Sequence, residues 1–210
     1  MARLCMFHPV GHPMERGWVG RVDGDRVVHL AAQTLQSFFT GGGSAREHAE
    51  YPVADVVLLA PVLHPPSVRV FEDETTFAFA NPAAVVGPHA VVTPPRDTSP
   101  HGLVALARVA AVMGVGGSIG GFTGCVELRA PDLPPPKDRD FATATGPVVV
   151  TPDELNLEGF DWGAATALAA AGTRLYPGDV LAGPGTPVDV SARLAVELAG
   201  IGVLELTIGP

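Results

Sequence analysis

The chain has 210 residues, 47% of them hydrophobic, and carries 22 acidic against 13 basic residues for a formal net charge of −9. That balance excludes the basic footprint that a phosphate backbone demands, so no nucleic-acid partner is expected. No apolar run reaches the roughly 18 residues of a membrane span, so no membrane partner is expected either.

The length fits one domain, with room for a small appended lobe, and buries a core without a disulfide or metal staple. Residues Met1–Cys5 have no long apolar stretch behind their basic residue, so no signal peptide is expected. Cys5 and Cys125 are the only cysteines. Two in a chain of this size point to free thiols in a reducing, cytoplasmic setting.

In chain order, residues 18–22 and 26–30 are apolar runs around Asp23-Gly24-Asp25, a hairpin signal. A helix is expected over 31–39, stopped by Gly41-Gly42-Gly43, and residues 44–52 read as loop or a short helix. Residues 53–66 read as a strand entering a proline-bounded linker, which places a seam between a lobe of residues 1–64 and a body of residues 65–210. Short apolar segments follow at 76–80, 84–86, 90–92 and 148–150, each punctuated by Pro or Gly. Residues 102–114 suit a helix by their Ala and Leu and a strand by their Val. Residues 160–171 read as the clear helix, ending at Gly172, and 194–198 with 202–208 as a closing hairpin. Many short strands and few helices predict a mainly β (α+β) fold.

Six motifs in order then resemble the fumarylacetoacetate hydrolase family. They are Pro65-Pro66-Ser67-Val68-Arg69, the stretch from Phe79 to Pro88, Gly121-Phe122-Thr123, the run from Asp140 to Leu155, Leu175–Val180 with Gly185-Thr186, and Gly200–Leu204. The resemblance implies a β-roll body behind a small β-rich lobe, assembled as a homodimer. It also implies chemistry on β-dicarbonyl acids, in which a carboxylate-held divalent metal polarises the substrate, a His–Glu pair activates water and a Lys stabilises negative charge.

The metal machinery departs from that pattern. Val70 stands at the first metal Asp, Leu106 and Arg108 at the paired glutamates, and Glu127 at the last ligand. The catalytic His has no counterpart, because Phe71-Glu72-Asp73-Glu74 runs directly into Thr75. Arg139 stands at the Lys position, with Lys137 two residues earlier. One Glu beside a guanidinium is a poor site for a hard cation, so neither a metal site nor another cofactor is expected.

The candidate catalytic residues are therefore Glu127, Arg139 and Lys137, with Thr186, Gly185, Arg108, Phe79 and Glu72 as substrate contacts. Each has a plainer reading. Glu72-Asp73-Glu74 also reads as a solvated turn, Glu127 as half of a structural ion pair with Arg108 or Arg139, Arg139 and Lys137 as surface charges, and Thr186 as a turn residue. Cys125 reads as a small buried residue, and His89 and His101 as histidines near the pocket by alignment or simply on the surface.

Three functions stand in order. The first is an enzyme that isomerises, cyclises or decarboxylates a small β-dicarbonyl or enol without a metal, its divergence suggesting secondary metabolism. The second is a non-catalytic protein that binds a ligand or partner. The third is a metal-dependent hydrolase of C–C bonds.

Overall fold

The computed structural model describes residues 2–96, 98, 102–155, 157–198 and 200–209. Its strands are β1 (Arg3–Pro9), β2 (Trp18–Asp23), β3 (Arg26–Leu30), β4 (Glu47–Pro52), β5 (Val56–Leu59), β6 (Val68–Asp73), β7 (Thr76–Ala80), β8 (Val85–Val86) and β9 (Val91–Val92). Then come β10 (Val104–Met113), β11 (Ile119–Arg129), β12 (Thr143–Val150), β13 (Val180–Ala182), β14 (Thr186–Val188), β15 (Arg193–Leu198) and β16 (Gly202–Ile208). Two α-helices, α1 (Leu35–Thr40) and α2 (Trp162–Ala170), and several short 3-10 turns accompany them. The fold is mainly β, as expected.

Among the described residues one sheet of 13 strands runs β4-β3-β2-β1-β12-β11-β10-β13-β6-β7, with β5, β8 and β14 attached at its sides. The first four strands of the chain lie at one end of this path and join the rest through β1, whose Arg3 and Leu4 face Val150 and Val149 of β12. The closing hairpin forms with β9 a second sheet, β15-β16-β9. Along β15 every second residue is buried, the mark of a strand with one face on a core. Leu194, Val196, Leu198, Leu204 and Leu206 pack there against Val126, Leu128, Ala144 and Val148 of the large sheet. On another part of that sheet, Ala165 and Ala169 of α2 meet Phe71, Met113, Phe122 and Leu181.

Several local expectations shift for physical reasons. The hairpin of β2 and β3 forms around Gly24, whose φ of 58° suits a residue without Cβ. The first helix starts at Leu35 rather than 31, because the Ala31 N–H bonds the Arg46 carbonyl and Thr34 caps the helix with Ser37 in a reciprocal pair. Residues 47–52, read as loop or helix, are strand β4. Its residues are nearly all exposed, so no alternation marked it, and ion pairs tie it down at 2.7 Å, Arg21–Glu47 and Arg26–Glu50. Residues 104–113, ambiguous by composition, form a strand that pairs β11 along its length. The second helix is Trp162–Ala170, because the Asp161 carboxylate accepts the Ala164 N–H and sets its start.

Candidate functional site

The site grows from strand alternation. Glu127 and Arg129 lie two apart on β11 and share a face, and the register sets Leu106 and Val104 of β10 opposite them. Arg108, two residues beyond Leu106, reaches diagonally to the Glu127 carboxylate.

The Arg108 side chain is fully buried, as is that of Glu127. Arg108 donates to Glu127 Oε2 from Nη2 at 2.7 Å and from Nε at 3.0 Å, and from Nη1 to the carbonyls of Phe71 at 2.9 Å and Gly183 at 2.8 Å. Arg129 donates from Nε to Glu127 Oε1 at 2.9 Å and from Nη2 to Oε2 at 3.0 Å. Four charge-assisted bonds thus reach this carboxylate, three on Oε2 and one on Oε1. Arg139 stands further off, with Nη1 3.9 Å from Glu127 Oε1 and Nε 3.4 Å from Asp138 Oδ2.

Glu72 closes the cluster from the solvent side. It accepts from Arg129 Nη2 at 2.6 Å and lies 3.5 Å from Arg108 Nη2. Burial pushes its carboxyl up, but the Arg129 hydrogen bond and the charges of Arg108, Arg129 and Arg139 outweigh that and hold it below the usual glutamate range. The Glu72 side chain is 53% exposed, against 20% for Arg129 and 21% for Arg139, so the cluster has a wet rim and a dry floor.

Gly185 explains how the floor is roofed. A Cβ there would lie 2.9 Å from Arg108 Cζ and 3.0 Å from Leu106 Cβ, so only glycine lets the loop between β13 and β14 lie on the guanidinium. Thr186 follows it, exposed at the start of β14.

Of the residues singled out in the sequence, Glu127, Arg108, Arg139 and Glu72 meet in one cluster under Gly185. Lys137 points elsewhere, 70% exposed and paired with Asp140 at 2.7 Å. Phe79 lies on β7 under the guanidinium of Arg69, 5.5 Å away, and Arg69 faces Asp179 rather than Glu127. His89 is exposed beside Glu205, at 3.4 Å, and His101 lies outside the described residues. Cys125 is buried and free, as expected. Arg129, which bonds both glutamates, was not singled out in the sequence. Its spacing from Glu127 within one strand was the signal that could have found it.

A divalent hard cation takes about six oxygen ligands. Among the described residues no three His, Cys, Asp or Glu side chains converge to hold one, and the Arg108 guanidinium is bonded to the carboxylate standing at the last ligand position. The residues present do not fit the metal that the resemblance implies.

No protein-family model matches the chain, and no curated protein sequence matches it. Solved structures do. The maleylpyruvate hydrolase from Sphingobium sp. SYK-6, in complex with manganese(II) ion and pyruvate, is similar with a TM-score of 0.76 at 19% identity, over 98% of this chain and 98% of that one. The 2-hydroxyhepta-2,4-diene-1,7-dioate isomerase from Mycobacterium marinum gives 0.76 at 18%, over 99% and 98%. The 5-carboxymethyl-2-hydroxymuconate delta-isomerase from Mycobacterium smegmatis gives 0.74 at 21%, over 98% of each. With these likenesses over nearly its whole length, the chain has the fold of the fumarylacetoacetate hydrolase family.

Proposed function

We propose that the chain takes a small dicarbonyl- or enol-type acid at the rim formed by Arg129 and Arg139 and converts it without a divalent metal, as an isomerase, lyase or hydrolase. The observation that carries this reading is the convergence of two partly exposed guanidiniums on one buried carboxylate. Solved proteins of this fold named as a hydrolase and as isomerases support it by analogy.

On this reading the rim arginines pair the substrate carboxylate in a bidentate fork and stabilise the negative charge that develops when a proton leaves the carbon beside a carbonyl. Glu72, the exposed carboxylate at the rim, takes that proton. Arg108 and Glu127 are positioning residues, because Glu127 is sealed from solvent and bonded to two guanidiniums. Thr186 is proposed to contact the substrate from the loop above. Lys137 and Phe79 keep no role at this rim. Assembly as a homodimer belongs to the same reading and is checked by light scattering during size-exclusion chromatography.

The second reading is a protein that binds such an acid without converting it. Its support is the same sealed Glu127, which leaves no buried base free, together with a turn after β6 that holds no His.

Calorimetric titration with pyruvate and acetylpyruvate, alongside ultraviolet assays of β-keto acids and enols, separates the two. Binding with turnover, both lost in Arg139→Met, supports the enzyme. Binding without turnover selects the second reading, and no binding sinks both. Titration with Mn²⁺ is expected to give no stoichiometric heat. A stoichiometric response would restore the metal-dependent hydrolase.

A further inference from the structure

We propose that Glu72 is an internal occupant of the anion site, a built-in carboxylate that an incoming acid must displace. The inference rests on the reading of this rim as an acid-binding site and adds how entry to it is controlled.

The backbone is built for this. β6 and β7 pair Phe71 with Phe77 and Asp73 with Thr76, and the register shifts between them. Glu72 is the extra residue of that bulge, and a bulge re-aims its side chain out of the strand's alternation. The next residue anchors the turn, because Asp73 Oδ1 accepts from the N–H of Thr75 and Thr76 at 2.8 and 2.9 Å and from their hydroxyls at 2.7 and 3.1 Å. A pinned turn thus holds a half-exposed carboxylate over Arg129.

The charge count follows. With Glu72 in place, three guanidiniums (Arg108, Arg129 and Arg139) face three carboxylates (Glu72, Glu127 and Asp138), and the cluster is neutral. With Glu72 swung off Arg129 but still at the rim, the guanidiniums keep two paired carboxylates and one surplus positive charge, and Arg129 Nη2 loses its 2.6 Å partner. Glu127 and Asp138 cannot make the same move, since their side chains are 0% and 13% exposed. The vacated position suits a ligand carboxylate on Arg129 with a second oxygen near Arg139, the chemistry of a small keto acid or dicarboxylate.

The test is titration calorimetry of the full chain with sodium malonate, and with acetate as a monocarboxylate control, at neutral pH and low salt. Wild type is compared with Glu72→Gln and with Glu74→Gln, which removes the same charge from the same turn. An exposed ion pair is worth up to about 1 kcal/mol, so freeing the site is expected to tighten malonate about five-fold in Glu72→Gln and to leave Glu74→Gln at the wild-type value. Equal tightening in both variants would reduce the effect to general charge and overturn the inference. Wild-type binding unchanged by Glu72→Gln would overturn it while leaving the acid-binding rim intact. Absence of binding in every form would remove the rim itself.

Discussion

Replacing Glu127 by Gln tests the cluster where its energy is concentrated. The carboxylate accepts four hydrogen bonds from two guanidiniums and is sealed from solvent. A glutamine keeps the size but removes the charge, and it turns an NH₂ group toward donors. Arg108 then stays buried and charged, with two backbone carbonyls and a 3.5 Å approach to Glu72 as its remaining partners. Breaking a buried pair from one side costs about 3–5 kcal/mol. In a domain of this size each kcal/mol shifts Tm by about 2–4 °C, so a fall of roughly 6–20 °C is expected by calorimetry. The comparison is Glu50→Gln, which breaks the Arg26–Glu50 pair, whose side chains are 48% and 53% exposed. That change belongs within about 1 kcal/mol of wild type. The double variant Arg108→Met with Glu127→Leu removes both charges at similar volume and is expected to recover most of the loss, because the large term is the orphaned charge. A Glu127→Gln protein no less stable than Glu50→Gln would refute the view that this cluster is a sealed ion pair.

Three further outcomes follow from the same geometry. Glu72 and the fully exposed Asp73 both have carboxyls held below their usual values, Glu72 by Arg129 and the neighbouring guanidiniums against the opposing push of burial, and Asp73 chiefly by hydrogen bonds from Thr75. Their contribution to stability is present above the ordinary carboxylate range near pH 4 and is lost as pH falls through the lower folded values. Melting curves between pH 6 and 3 should therefore steepen downward at the acid end, and Glu72→Gln should flatten that slope. Burial pushes the thiols of Cys5 and Cys125 up to about 12, so a thiol reagent at pH 8 should label neither in the native protein and both in guanidinium. Gly185→Ala places a methyl 2.9 Å from Arg108 Cζ, which should cost about 1–3 kcal/mol in urea unfolding. Full stability in that variant would mean the loop does not lie on the guanidinium.

Much of this protein was legible before its structure. Gly24 between two apolar runs announced the first hairpin, the paired segments 194–198 and 202–208 announced the last, and the motif series from Pro65 to Leu204 pointed to the architecture the fold then showed. Local signals of this kind survive because turn chemistry and alternation act within a few residues. Strand β4 escaped because an exposed edge strand held by ion pairs shows no apolar rhythm, and β10 was ambiguous because most of its length is buried, which erases the difference between its faces. At the site, the resemblance put a carboxylate and an arginine at positions where the family holds metal ligands, as an expectation. Which arginine reaches which oxygen was decided only in three dimensions. The diagonal from Arg108 to Glu127, the bulge that turns Glu72 onto Arg129, and the glycine roof at Gly185 join β10, β11, β6 and the loop before β14, which are distant in sequence. Pairing between such segments is set by sheet register and burial, and neither is written in any one stretch of the chain.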